Sequence, residues 1–171
     1  MTYGNHLIRC FLILLFCLSV PGAEPARAAE GEAAERRESL ECALDRLEAA
    51  TAHFVAGSPE AFIALWEHGD EVTLSGGFGG RIEQGWDAIH ERLLRVSSLY
   101  EDGRFEAERV AVRAGAALGY VAQHERITHR LPDGTEGVRH YRVTMVLKST
   151  DDGWRLIHRQ ADLHTTPDRL R

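Results

Sequence analysis

Polar side chains recur at every second position near the C-terminal end of the chain, where they could line a reaction or binding site. Residues 140–165 predict two β-strands joined by a tight turn at residues 150–153. Because side chains alternate between the two faces of a strand, the row on one face of the second strand consists of Trp154, Leu156, His158, Gln160, Asp162 and His164. This row is apolar at its start and polar at its end, which is typical of a pocket wall.

These residue types permit general acid–base chemistry. Asp162 or His124 would act as a general base, and Tyr141 or His158 would donate a hydrogen bond to a developing oxyanion. The same side chains could instead satisfy one another's hydrogen bonds inside a deep pocket, without any turnover. The candidate catalytic residues are therefore His124, Asp162, Tyr141 and His158, and both interpretations stay open.

Further side chains are expected around the same pocket. Alternation on the two preceding strands allows several of their side chains to face inward beside His124 and Tyr141. Arg126 would pair with Asp162 inside the pocket or bind an acidic ligand. The candidate ligand-binding residues, of which the first two would close the open end, are Trp66, Phe78, Tyr120, Arg126, Met145, Trp154 and Gln160.

The sequence predicts neither a metal site nor a cofactor. Its histidines form no H-x-H or H-x-x-x-H pair, and glutamine is a poor ligand for zinc. The glycine-rich residues 76–80 fit neither common phosphate-binding motif, and we expect a flexible hairpin that places Phe78 over the pocket mouth. We expect His129 to lie at the surface.

The N-terminal residues resemble a targeting segment in their composition. Residues 10–20 are an apolar run, Pro21 and Gly22 break it, and residues 26–28 supply an A-x-A cleavage site. The run is shorter than the roughly 20 apolar residues that span a bilayer. We therefore predict a cleaved signal peptide over residues 1–28, a periplasmic or secreted protein, and no stable membrane insertion after cleavage. An uncleaved anchor is the alternative.

Charge and cysteine content narrow the possible partners. The chain of 171 residues has a formal net charge of −6 and no basic run, which argues against nucleic acid and anionic membranes as partners. Cleavage would leave Cys42 alone, so the mature chain could form no internal disulfide. We expect Cys42 to be a small apolar residue of the first helix.

The elements that must position these residues follow from the hydrophobic periodicity. Two helices, two short strands, a third helix beginning at Trp86 and four longer strands are predicted in that order. This order indicates an α+β domain in which helices cover one face of a curved antiparallel sheet. We expect a flexible lead-in over residues 29–39, the domain over 40–166 and a tail over 167–171.

Three segments resemble a known superfamily. They are Gly85-Trp86-x-x-Ile89, the strand RVTMV at 142–146 and the segment DGWRLIHRQAD at 152–162. In these the chain resembles the nuclear transport factor 2-like superfamily, and most closely its SnoaL-like and ketosteroid-isomerase-like branch. It is also similar to the association domain of calmodulin-dependent kinases. The resemblance implies a cone-shaped fold, three helices in the N-terminal half packed on a curved antiparallel sheet, and homodimers formed through the outer sheet face.

The expected function is correspondingly general. We expect an exported SnoaL-like protein that binds a small, partly apolar molecule in a conical pocket. One alternative is an isomerase-like or cyclase-like enzyme that uses acid–base chemistry without an organic cofactor. Another alternative is a non-catalytic dimerisation or assembly domain, because members of the superfamily differ widely in function.

Overall fold

A computed structural model describes residues 40–131 and 133–164. The predicted signal peptide, the lead-in and the tail at 167–171 lie outside the described residues. The helices are α1 (40–55), α2 (Glu60–Ile63) and α3 (Trp86–Ser97). The strands are β1 (Thr73–Ser75), β2 (Glu83–Gln84), β3 (Arg104–Ala114), β4 (Leu118–Arg130), β5 (Glu136–Thr150) and β6 (Gly153–Leu163).

The predicted element order and the α+β class are confirmed. The strands form one open six-stranded sheet in the order β2-β1-β6-β5-β4-β3. The sheet is antiparallel except at one pair, since β1 runs parallel to β6 with Leu74 opposite Arg159. The predicted antiparallel sheet is thus confirmed for the four long strands, and the sequence did not indicate the parallel pairing of β1 with β6.

The first helix is amphipathic and packs its apolar stripe against the sheet. Leu40, Leu44 and Leu47 are buried, whereas Cys42, which lies in this helix as predicted, is exposed. No helix within residues 40–131 and 133–164 has the length and apolar character needed to cross a membrane.

An arginine of β3 forms ion pairs with the polar side of α1 and so holds this helix against the sheet. The Arg109 guanidinium binds Glu41 at 3.2 Å, Asp45 at 2.7 Å and Glu48 at 3.0 Å. These carboxylates lie on one side of the helix because they are spaced four and three residues apart. The contacts fix α1 as one wall of the space between helices and sheet.

A β-bulge in β6 reverses the facing of the strand halfway along its length. Leu147 pairs with Leu156 and Val146 pairs with His158, so Ile157 is an extra residue in β6. Before the bulge, Trp154 and Leu156 face inward. After the bulge, the inward positions are held by Arg159 and Ala161, whereas His158, Gln160 and Asp162 face outward.

The facing of β4 is also opposite to our expectation. Its buried, inward-facing side chains include Val121, Gln123, Glu125, Ile127 and His129. Glu125 lies opposite Tyr141 in the ladder between β4 and β5, so the two share the inner face. Tyr120, His124 and Arg126 consequently lie on the outer face.

Candidate functional site

A cavity of about 70 Å³ lies between the helices and the inner face of the sheet. One water needs roughly 10–15 Å³ of such space, so the cavity has room for about five waters or a small organic molecule. It is far smaller than the roughly 300–1,000 Å³ typical of sites for drug-sized ligands. Much of its lining is apolar and includes Phe54, Val55, Phe62, Leu93, Ile127 and Ala161.

Two tyrosines form part of the polar side of this cavity. Tyr141 of β5 is 3% exposed, and no described residue meets its Oη in full hydrogen-bond geometry, although the Tyr100 phenol lies close enough for the two phenols to interact. Burial and the neighbouring Tyr141 raise the pKa of Tyr100 well above its usual value. The Tyr100 phenol therefore stays protonated at physiological pH and serves as a hydrogen-bond donor.

A buried ion pair lies beside the tyrosines. Arg159 of β6 binds Glu125 of β4, with side chains 12% and 1% exposed respectively. Gln123 Nε2 donates to the other Glu125 oxygen, Oε1, at 2.9 Å. Arg159 lines the cavity, whereas Glu125 lies behind it with both carboxylate oxygens engaged.

The glycine-rich residues 76–80 form the roof of the cavity. A β-carbon at position 77 would lie 2.3 Å from Tyr141 Cε1, so only glycine allows the loop to approach the ring this closely. Phe78 lines the cavity rim and stacks under the Arg139 guanidinium, which lies 4.3 Å from the ring centre.

A buried arginine of α3 holds this roof in place. Arg92 donates to the Gly79 carbonyl at 2.6 Å and to Glu83 Oε1 at 3.0 Å. The loop is therefore tied to α3 rather than free, which differs from the flexible hairpin that we expected.

The structure does not bring most of the predicted site residues into this cavity. The predicted candidates that face outward are His124, His158, Gln160, Asp162, Tyr120 and Arg126. Arg126 binds Glu106 at 3.2 Å instead of Asp162, and Asp162 accepts a hydrogen bond from Gln160 Nε2 at 3.0 Å. Their expected inward orientation is wrong because of the bulge at Ile157 and the facing of β4.

The outward candidates nevertheless share one surface. His124, Arg142, His158 and Asp162 line an open groove across β4, β5 and β6. His158 Nδ1 lies 2.8 Å from Thr73 Oγ1, in hydrogen-bond contact, and partial burial lowers the pKa of this histidine. In the described ranges, no group of three or more histidine, cysteine or acidic side chains is placed to hold a metal ion.

The remaining predicted residues face the interior. Tyr141 and Phe78 line the cavity, as described above. Met145, Trp154 and Trp66 are buried in the core, but they do not line the cavity. The residues that the sequence did not indicate are Tyr100, Arg159, Glu125, Gln123 and Arg92.

His129 is buried, although the sequence suggested a surface position. Its ring packs edge-on against Tyr100, with 5.7 Å between the ring centres. Burial, and to a lesser degree the positive charge of Arg139, lower the pKa of His129. The folded chain therefore favours the neutral imidazole.

This burial predicts a loss of stability in acid. Below its ordinary pKa of about 6.5, His129 binds a proton more readily in the unfolded chain, so the free energy of unfolding decreases as pH falls through that value. Urea unfolding at pH 7.5 and 5.5 should show a smaller decrease for His129→Gln than for the wild type. The exposed His140 provides the control, His140→Gln, which should behave as the wild type. An identical pH dependence in all three proteins would contradict the prediction.

Comparison with known protein families supports the fold. Residues 44–162 match the SnoaL-like domain family. No curated protein gives a match to the chain. Each of the solved structures below shares less than 25% identity with this chain, so the likeness shows the fold alone.

Three structures illustrate the likeness. A nuclear transport factor 2-like superfamily protein from Salmonella enterica serovar Typhimurium has a TM-score of 0.68 at 14% identity, covering 81% of this chain and 97% of its own. A proposed dehydratase of the nuclear transport factor 2-like family from Streptomyces avermitilis has a TM-score of 0.67 at 18% identity, and the match covers 78% of this chain and 99% of the dehydratase. A ketosteroid isomerase-like protein from Erwinia carotovora has a TM-score of 0.62 at 19% identity, and the match covers 77% of this chain and 98% of that protein.

Proposed function

We propose that this chain, which belongs to the SnoaL-like domain family, binds a small, partly apolar molecule in its inner cavity. The buried hydroxyl of Tyr141 carries the proposal. It lines a largely apolar cavity, and beyond its interaction with the Tyr100 phenol no described residue meets it in hydrogen-bond geometry. A buried polar group without a partner is costly, and a ligand oxygen in the cavity would supply the missing hydrogen bond.

The lining favours binding over acid–base turnover. Among the described residues, no aspartate, glutamate or histidine lines the cavity. The acid–base candidates His124 and Asp162 lie on the opposite face of the sheet, and Glu125 is occupied by Arg159 and Gln123. A general base must reach the proton that it removes, and none of these three carboxylate or imidazole groups borders the ligand space.

Filling the cavity tests this proposal. Ala161 lines the cavity on β6, and Ala161→Leu would place a larger apolar side chain in the ligand space. In ligand-observed NMR with a panel of organic molecules of roughly five to eight non-hydrogen atoms, some should bind the wild type and lose binding to this variant. The matched control is Ala122→Leu on the outer face of β4, which should retain binding. Equal binding to Ala161→Leu, or no binding to the wild type by any panel member, would refute the proposal.

We propose further that residues 1–28 direct export and that the mature chain forms a homodimer through the outer sheet face. That face exposes apolar side chains, including Val110, which is 63% exposed, and Tyr120. Native mass spectrometry of the full-length gene product tests both points. The expected species is a pair of subunits that each lack residues 1–28; a full-length subunit mass contradicts cleavage, and a single-subunit mass at micromolar concentration contradicts the dimer.

A further inference from the structure

The polar groups that line the cavity are mainly hydrogen-bond donors. Arg159 presents a guanidinium, which has no acceptor atom. Tyr100 and Tyr141 present phenols, and the Tyr141 hydroxyl proton is uncommitted within the described residues. A ligand atom at this position is therefore selected to accept hydrogen bonds.

Around the two phenols, the positive charge of the arginines exceeds the negative charge of their carboxylate partners. Arg159 lines the cavity, and the Arg139 guanidinium lies 4.3 Å from the ring centre of Phe78, which lines the cavity as well. Arg159 is neutralised by Glu125, but none of the carboxylates that the structure describes pairs with Arg139. A positive charge near a partly dehydrated space favours an anion and disfavours a cation.

The size and the remaining lining describe the rest of the ligand. The lining of the cavity of about 70 Å³ also includes apolar side chains such as Phe62 and Leu93. Such a space admits an apolar body of a few carbon atoms and excludes a fused-ring molecule. Donors and apolar side chains both line the cavity, so the ligand needs a polar group as well as an apolar body.

From these features we infer that the ligand is a small monocarboxylate with a short, branched or cyclic apolar body, whose carboxylate accepts hydrogen bonds from Tyr141 and Arg159. The inference rests on the proposed function, since it names the class of molecule that the same cavity takes. A carboxylate offers two acceptor oxygens, which matches a phenol beside a guanidinium. A neutral carbonyl compound would carry no charge to attract the Arg139 guanidinium, which lies beside the cavity-lining Phe78.

Three probes that share one type of apolar body but differ in charge test the inference. Isobutyrate, isobutyramide and isobutylamine are titrated into the mature wild-type protein and followed by backbone amide chemical shifts. Isobutyrate should bind at least about tenfold more tightly than isobutyramide, because hydrogen bonds to a charged group are the stronger kind, and isobutylamine should not bind. Stronger or equal binding of isobutyramide would overturn the carboxylate assignment while leaving small-molecule binding in place. If none of the three probes binds, the carboxylate assignment fails, whereas the proposed function fails only if no member of the wider panel binds either.

Two substitutions locate the carboxylate. Tyr141→Phe removes one oxygen that no described residue meets in full hydrogen-bond geometry, so the variant should fold and lose roughly tenfold in affinity for isobutyrate but little for isobutyramide. Its control is Tyr120→Phe on the outer face, which should leave both affinities unchanged. Arg139→Gln should lower the affinity for isobutyrate alone. The control, Arg142→Gln at an exposed position of the outer face, should leave the affinity for every probe unchanged. Wild-type affinity of Tyr141→Phe for isobutyrate would refute the assignment of the phenol.

Discussion

Replacing Arg159 by methionine is expected to lower the free energy of unfolding by about 3–5 kcal/mol. The reason is the carboxylate left behind. Glu125 is 1% exposed, and without Arg159 its charge keeps only the hydrogen bond from Gln123. A buried charge without a counter-ion costs more free energy than the packing that is lost when a side chain is replaced by another of similar size. Urea unfolding of the wild type and the variant at neutral pH measures the difference.

Two comparisons show whether the loss comes from the stranded charge. Adding Glu125→Gln to the Arg159→Met variant removes that charge and should restore most of the stability. Arg104→Met breaks the exposed ion pair with Glu136 on the same sheet and should cost only about 0–1 kcal/mol. A loss below about 1 kcal/mol for Arg159→Met, or no recovery in the double variant, would show that Glu125 is not isolated by burial.

The sequence predicted the fold because the fold depends on local patterns. The stripe of Leu40, Leu44 and Leu47 has helical spacing, and the strands are long and alternate in polarity. The turn at 150–153 is also confirmed, since Thr150 pairs with Gly153 as a two-residue hairpin requires. Each of these signals is complete within a few residues of the chain.

The facing of β4 depends instead on the length of one loop. Arg130 pairs with Glu136, so five residues, 131–135, connect β4 and β5. A four-residue turn at 131–134 would pair Arg130 with Thr135 and place His124 opposite Tyr141. The observed loop places Glu125 there instead. A shift of one residue exchanges the two faces of a strand, and the sequence gives no local signal for the fifth loop residue.

The bulge in β6 had the same effect on the last strand. Without it, Met145 would face His158 and Tyr141 would face Asp162; with it, their partners are Arg159 and Leu163. Tyr100 was missed for a further reason, since it follows α3 outside any periodic segment and meets Tyr141 only in the folded chain. The candidate site thus depends on tertiary contacts and a bulge that periodicity does not show.

The roof of the cavity leads to the second large expected effect. Gly77→Ala should lower the free energy of unfolding by about 1–3 kcal/mol, the range for an overfilled core. The added β-carbon would lie 2.3 Å from Tyr141 Cε1 and 2.8 Å from Cδ1, so either the ring or the loop must move. The ring belongs to a buried side chain of a central strand, whereas the loop crosses the surface. We therefore expect the roof to lift and ligand binding to weaken together with stability, as measured by urea unfolding and probe titration.

A glycine with open space around it provides the control. Nothing lies within 4 Å of a β-carbon at position 69, and the Gly69 backbone is not left-handed, so Gly69→Ala should be neutral or stabilise by about 0.4–1 kcal/mol. The cause of the Gly77→Ala loss is tested in a Tyr141→Ala background, where the ring is absent and the same substitution should cost little. If Gly77→Ala costs the same with and without the Tyr141 ring, the loss arises from the loop backbone, and the close approach of Gly77 to Tyr141 does not hold the roof.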